Sequence, residues 1–317
     1  MKDIGAASRA AFARLIDYAG LFPPAELAMD ASIEEYAAAR HGAVAWMLGR
    51  FIVTATRAAE AAALWETRGG TERLGLSVIL NSPPDPRSWL GSLQQHLETV
   101  AAPNERSIRL PVEAIEVPLP APLSARETLE APIAQLRAAL DRAGLRDLPA
   151  FAELPTGPRW SELLPGAMTA LKRARLGAKI RCGGVVAEAF PSVDVVAGFI
   201  SAAAAEDIAY KATAGLHHPV RHRDDASGFV MHGFLNLLAA AVFAPHVTPD
   251  ELRRIVAEED PAAFAFDRST IRWRDRSAGV ADIERMRAHA FVGYGSCSFS
   301  EPVEDLTALG MLPAALA

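Results

Sequence analysis

Short, nearly all-apolar runs alternate along the chain with longer stretches in which alanine and leucine recur among arginine and glutamate. The first helical stretch covers 6–16 and leads into a candidate strand at 15–20. Ser32, with Glu34 and Glu35 behind it, opens a helix to about residue 40. A β-type run at 44–53 precedes an alanine-rich helix ending near Trp65. The next strand, 74–80, closes on Asn81-Ser82-Pro83-Pro84, and a helix follows over 86–100. A strand at 114–117 stops at Pro118 and gives way to a helix over 126–143. Strands at 149–154, 178–182 and 208–213 then alternate with helices at 160–175, 193–205 and 229–243.

This order implies right-handed crossovers and a parallel sheet. The β-runs lack polar alternation, as expected when both faces are covered. The eighth strand is either 264–273 or 291–299. The second is preferred, because 300–305 then opens a short closing helix. Residues 245–289 become an insertion, with a helix at 249–258, a hairpin around Asp267–Ser269 and a further helix. The predicted fold is an α/β TIM (β/α)8 barrel with an N-terminal helix, occupying residues 1–317 as one domain. An open, doubly wound sheet is the rival.

Composition narrows the function. Half of the 317 residues are hydrophobic and 22% are charged, which suits a globular chain and not a disordered one. The net charge of -6 argues against a nucleic-acid partner. Two cysteines, Cys182 and Cys297, cannot form a disulfide framework, so a cytoplasmic location is expected. At the N-terminus, Asp3, Arg9, Arg14 and Asp17 interrupt any signal-peptide core after Lys2. The most apolar stretch, 229–244, holds His232 and Asn236 and is shorter than the ~20 residues of a membrane span, so no membrane partner is expected.

The charge total conceals an asymmetry. Only four of the 32 basic residues are lysine, namely Lys2, Lys172, Lys179 and Lys211; the rest are arginine. Lys2 is terminal and Lys172 lies beside Arg173 on a helix, whereas Lys179 and Lys211 fall in apolar β-runs. Arginine keeps its proton, but a crowded lysine can release it. In a TIM barrel the site lies at the C-terminal strand ends. Arg50, Glu116, Glu153, Lys179 with Arg181, and Lys211 with Thr213 are expected there. Alternation puts Lys179 and Arg181 on one face, and Lys211 and Thr213 on one face.

A neutral lysine amine attacks a carbonyl and forms a Schiff base. Burial and a neighbouring cation both lower its affinity for a proton. Lys179, with Arg181 and Lys211 nearby, fits that requirement, and Glu153 or Glu116 would move protons. The segments Ala178-Lys-Ile-Arg-Cys-Gly-Gly184 and Tyr210-Lys-Ala-Thr-Ala-Gly215 resemble class I aldolases of the 2-deoxyribose-5-phosphate aldolase type. The resemblance implies that Lys179 is the Schiff-base nucleophile and Lys211 its perturber. Arg181 and Cys182 stand where that family has small hydroxylated residues, and His217-His218-Pro219 where it has a glycine-rich turn.

Further candidates flank these segments. His217 and His218 are expected to line the substrate pocket, with Arg221, His222 and Arg223 behind them. Asn236 lies four residues after His232 on one helix face, where the two cap the site or satisfy each other. Ser296 and Ser298 could bind an anion, although Gly293-Tyr-Gly295 lacks the third glycine of a dinucleotide fingerprint. Asp17 reads as a turn cap or as another carboxylate at the mouth, with the turn preferred. Buried, inert thiols are the preferred reading of both cysteines.

The resulting expectation is a lyase or aldolase-like enzyme acting on a small carbonyl or carboxylate compound, without cofactor or metal, and a possible homo-oligomer. One alternative is a metal-assisted hydrolase or isomerase using Glu116, Glu153 and His217 or His218. Another is a non-catalytic barrel whose ion network is structural.

Overall fold

The computed structural model describes residues 4–68, 74–81, 83, 85–102, 111–225 and 227–313. Lys2, Asp3, and Ser82 and Pro84 of the turn expected after the third strand lie outside these residues. Eight strands form the central sheet: β1 (Ile16–Tyr18), β2 (Leu48–Thr54), β3 (Leu76–Ile79), β4 (Val112–Pro118), β5 (Ala150–Glu153), β6 (Gly177–Arg181), β7 (Tyr210–Thr213) and β8 (Phe291–Ser296). All neighbouring pairs are parallel, and β1 pairs with both β2 and β8. The sheet therefore closes on itself as a TIM barrel, and the open-sheet alternative is ruled out.

Each strand leads to a helix: Met29–His41, Ala58–Thr67, Trp89–Ala101, Glu130–Arg142, Trp160–Ala174, Val193–Ala205, Phe234–Phe243 and Ser300–Ala308. The additional helix Ala6–Phe12 precedes β1. Ser192 caps Val193–Ala205 by accepting the Val195 N–H, which satisfies a backbone donor that has no partner inside the helix. The segment Ala187–Ala205 is long and apolar enough by composition to cross a membrane. Here Val196, Phe199 and Ile200 on its helix are buried in the layer around the barrel.

The aromatic side chains separate the two faces of the sheet. Tyr18 packs against Tyr36 of the first barrel helix, Tyr210 meets Phe199 edge-on, and Tyr294 stacks on Phe234. Each such buried ring contributes roughly 1.5–3 kcal/mol from area alone. Successive strand residues point to opposite faces, so their neighbours Asp17, Lys211 and Gly295 face the barrel interior.

Element boundaries differ from expectation in several places: the helix expected to open at Ser32 begins at Met29, the N-terminal helix ends at Phe12, and the helix expected from 126 begins at Glu130. Residues 45–47 form a 3-10 turn, so β2 starts at Leu48 and runs on to Thr54. The helix after β7 begins at Phe234, because His222–Arg223 and Val230–Met231 pair as a short antiparallel ribbon. Between that helix and β8, the chain forms the helix Pro249–Ala257, a three-stranded antiparallel sheet (Phe264–Phe266, Thr270–Trp273 and Arg276–Gly279) and the helix Val280–His289. The hairpin expected around Asp267–Ser269 is present, and 276–279 adds its third strand.

Candidate active site

Six strands contribute to one buried polar cluster inside the barrel. Lys179 on β6 and Lys211 on β7 are paired directly in register. The Lys179 ammonium contacts Glu116 Oε2 at 2.7 Å and Glu153 Oε2 at 2.8 Å. The Lys211 ammonium donates to Glu116 Oε1 and to Asp17 Oδ2, both at 2.5 Å. Ser77 on β3 donates to Glu116 Oε1 at 2.6 Å and lies 3.3 Å from the Lys211 nitrogen. The Phe151 ring lies beside the same ammonium, 5.8 Å from nitrogen to centroid.

The charges alternate along a continuous path, Asp17–Lys211–Glu116–Lys179–Glu153. Asp17, Glu116 and both lysines are buried. Glu153, the last residue of β5, is 14% exposed and opens toward the C-terminal mouth. Buried charges are tolerable only when paired and hydrogen-bonded, and this arrangement gives each lysine two carboxylates.

The electrostatics correct one expectation. Burial alone would lower the proton affinity of Lys179, but Glu116 and Glu153 outweigh it and hold the ammonium well above the ordinary lysine range. Burial likewise raises Glu116, yet the two lysines outweigh it and keep its carboxyl well below the usual carboxylate range. Lys179 thus rests protonated. Arg181 does not supply the expected depression. Its Nη1 is 3.9 Å from Glu153 Oε1, its Nε donates to the Gly183 carbonyl, and it is 52% exposed at the rim.

The other candidates divide. Thr213 is in register with Arg181 and Gly295, at the rim above Lys211. His217 and His218 lie in the turn after β7, where their Nδ1 atoms approach Glu301 at 3.4 Å and Asp305 at 2.6 Å on the last barrel helix. Gly215 in that turn has φ +67, and a Cβ at Gly183 would come within 2.7 Å of its Cα. Only glycines allow the turns after β6 and β7 to cross so closely.

Three candidates are not at the mouth in the expected role. Arg50 is the third of the seven β2 residues, because the 3-10 turn displaces the strand. Its side chain reaches Glu113, near the start of β4, and so points toward the N-terminal end of the barrel. Asn236 is fully buried away from the lysines. Its Oδ1 accepts the Arg221 N–H at 2.9 Å, and its Nδ2 donates to the carbonyls of Ile255 and Glu258 at 2.8 and 2.9 Å. His232 instead meets the Pro191 carbonyl, so the two residues neither satisfy each other nor cap the lysine cluster. Ser296 follows the inward Gly295 and is in register with the outward Tyr18, and it accepts the Ser298 N–H at 3.4 Å.

Three participants were not anticipated in their roles. Asp17 is an interior ligand of Lys211, where the sequence pattern favours a turn cap. Ser77 was signalled only as the one hydroxyl within an apolar run. Gly49 makes room for Asp17, since a Cβ there would overlap Oδ1. The metal alternative fares differently: the two glutamates serve lysines, while the two histidines serve Glu301 and Asp305. Among the described residues no His/Cys/Asp/Glu cluster suits a metal ion. Burial raises the thiols of both cysteines, that of Cys182 to about 12.

With this geometry in place, comparison with solved structures is informative about fold. The chain is similar to deoxyribose phosphate aldolase from Aeropyrum pernix, with 13% identity, 95% of this chain and 93% of that chain covered, and a TM-score of 0.51. The likeness is one of fold. More distant similarities include mandelate oxidase (12% identity, 93% and 74% covered, TM-score 0.37). Another is the carboxyl transferase domain of Rhizobium etli pyruvate carboxylase (12% identity, 97% and 57% covered, TM-score 0.41). No protein-family model matches the chain, and no curated protein matches it.

Proposed function

We propose that this protein is an aldolase-like lyase that acts on a small carbonyl compound through a Schiff base on Lys179. The observation carrying the reading is the position of the Lys179 amine between shared Glu116 and mouth-facing Glu153. Lys179 is the lysine whose second carboxylate opens to the mouth; Lys211 is enclosed by Asp17 and Glu116.

In the first step, Lys179 gives a proton to Glu153 and the freed amine adds to the substrate carbonyl carbon. The carbinolamine oxygen takes back a proton and leaves as water, forming the iminium. A base then removes the proton of a β-hydroxyl, the adjacent C–C bond breaks, and its electron pair enters the iminium to give an enamine. An aldehyde departs. Protonation of the enamine carbon and addition of water release the second carbonyl product and regenerate the amine. Glu153 serves as the first proton acceptor, Glu116 balances both lysines, and Lys211 with Asp17 holds Glu116 in place. Arg181 and Thr213 at the rim, and His217 and His218 beyond them, bind substrate oxygens.

A second reading draws on the raised proton affinity of Lys179, which suits a structural ion network with no chemistry. Borohydride trapping with a panel of simple aldehydes and ketones, read by intact mass, decides between them. The Schiff-base reading predicts a stoichiometric adduct, and the structural reading predicts none.

A further inference from the structure

The alternating charges continue beyond Asp17, toward the end of the barrel opposite the mouth. The Arg50 backbone N–H donates to Asp17 Oδ1 at 2.6 Å, and its Nη1 lies 3.8 Å from Asp17 Oδ2. Arg50 Nε lies 3.3 Å from Glu113 Oε2, which also accepts from Arg14 Nη2 at 2.9 Å. The complete path is Arg14–Glu113–Arg50–Asp17–Lys211–Glu116–Lys179–Glu153–Arg181. It runs from the N-terminal strand ends to the C-terminal rim.

Two irregularities in the sheet build this lower half. Between β1 and β2 the register steps from Ile16↔Leu48 to Tyr18↔Phe51, which leaves one extra residue on β2 beside Gly49 and Arg50. Between β3 and β4 it steps from Leu76↔Val112 to Ser77↔Ala114, and the extra residue is Glu113. A bulge re-aims the side chain it carries, and bulges concentrate near active sites. Both bulges here deliver members of one ion chain that leads to Lys211. Gly49, without a Cβ, lets Asp17 reach the Arg50 N–H.

We propose that Arg50 and Glu113 are positioning residues that act on the reacting centre from the N-terminal end, holding Asp17 and setting the charge balance around Lys211 and Lys179. This rests on the Schiff-base reading given above. Neither residue touches the substrate, which enters at the other end. The charged surroundings are fully specified by neighbouring elements. Asp17 faces Lys211 and Arg50; Lys211 faces Asp17 and Glu116; Glu113 faces Arg14 and Arg50. Arg287, half-buried behind the start of β8, adds a further positive charge in the field of Asp17.

The sign of each substitution follows from this order. Removing the Glu113 anion favours loss of the proton from Lys179, so the trapping profile moves to lower pH. Removing the Arg50 cation favours retention, so the profile moves to higher pH. The experiment measures the rate of acetaldehyde adduct formation with borohydride across pH on the full chain, with thermal melting as the folding control. We expect Glu113→Gln to shift the midpoint down by about half a unit or more. Arg50→Met should shift it up and slow trapping on the order of tenfold at neutral pH, while Arg50→Lys should keep the native midpoint. A structural disturbance would not produce shifts of opposite sign. Folded Glu113→Gln protein with a native profile would overturn the positioning role even if Arg50→Met failed to fold. A wild-type chain that forms no adduct would overturn the Schiff-base reading itself, and this inference with it.

Discussion

Lys179 and Lys211 are paired across β6 and β7, and their ammonium groups bind opposite oxygens of one carboxylate, Glu116. The second carboxylate of Lys179, Glu153, opens to the mouth, whereas that of Lys211, Asp17, is buried and also faces Arg50. The lysines therefore share a counter-ion but differ in access, which separates a candidate nucleophile from a candidate electrostatic partner.

The shared carboxylate makes Glu116→Gln the most disruptive conservative change. It leaves two buried ammonium groups with one counter-ion fewer, and a cost of about 3–5 kcal/mol is expected. The native pH dependence follows by linkage. The stabilisation from Glu116 is present above its ordinary 4.5 and is lost as pH falls through its depressed folded value. That from Lys179 is present below its ordinary 10.5 and is lost as pH rises through its elevated folded value. Urea unfolding across pH should show the wild type losing stability below 4.5, with a smaller acid loss in Glu116→Gln.

Gly49→Ala tests how closely β2 approaches Asp17. The added Cβ would overlap Asp17 Oδ1, so the carboxylate or the strand must move. A destabilisation of roughly 1–3 kcal/mol is expected from overpacking, with a loss of trapping rate larger than a surface alanine control shows. Equal trapping in variant and wild type would mean that Asp17 can be displaced without consequence for Lys211.

Asn236→Ala should separate stability from chemistry. The side chain accepts one half-buried N–H and donates to two buried carbonyls, so its removal is expected to cost about 3 kcal/mol in chemical denaturation. Adduct formation by the remaining folded protein should be unchanged, because none of those partners belongs to the lysine cluster. A folded variant that no longer traps carbonyl compounds would place Asn236 back at the site.

The barrel was legible in the sequence because its strands are short apolar runs separated by well-marked helices. The two lysines stood out because the chain otherwise uses arginine. What the sequence concealed depends on register and distance. Apolar residues at 44–47 are indistinguishable from strand by composition, so the pattern puts Arg50 at a strand end, whereas it lies near a strand start. Asp17 sits in a three-residue strand, where a turn cap and an interior ligand give the same local pattern. Asn236 lies on the expected helix, but its partners Ile255 and Glu258 come from the insertion that follows, and composition does not show that contact. The protonated resting state of Lys179 depends on the two carboxylates, and not Arg181, that surround its amine, a contact set by the barrel's closure.

The central claim is covalent chemistry at Lys179, and borohydride trapping of lysine variants with acetaldehyde measures it most directly. Wild type and Lys172→Arg should gain one reduced adduct by intact mass. Lys179→Arg should gain none, and Lys211→Arg should form it on the order of 100-fold more slowly. An adduct retained in folded Lys179→Arg, or absent from the wild type, would contradict the account.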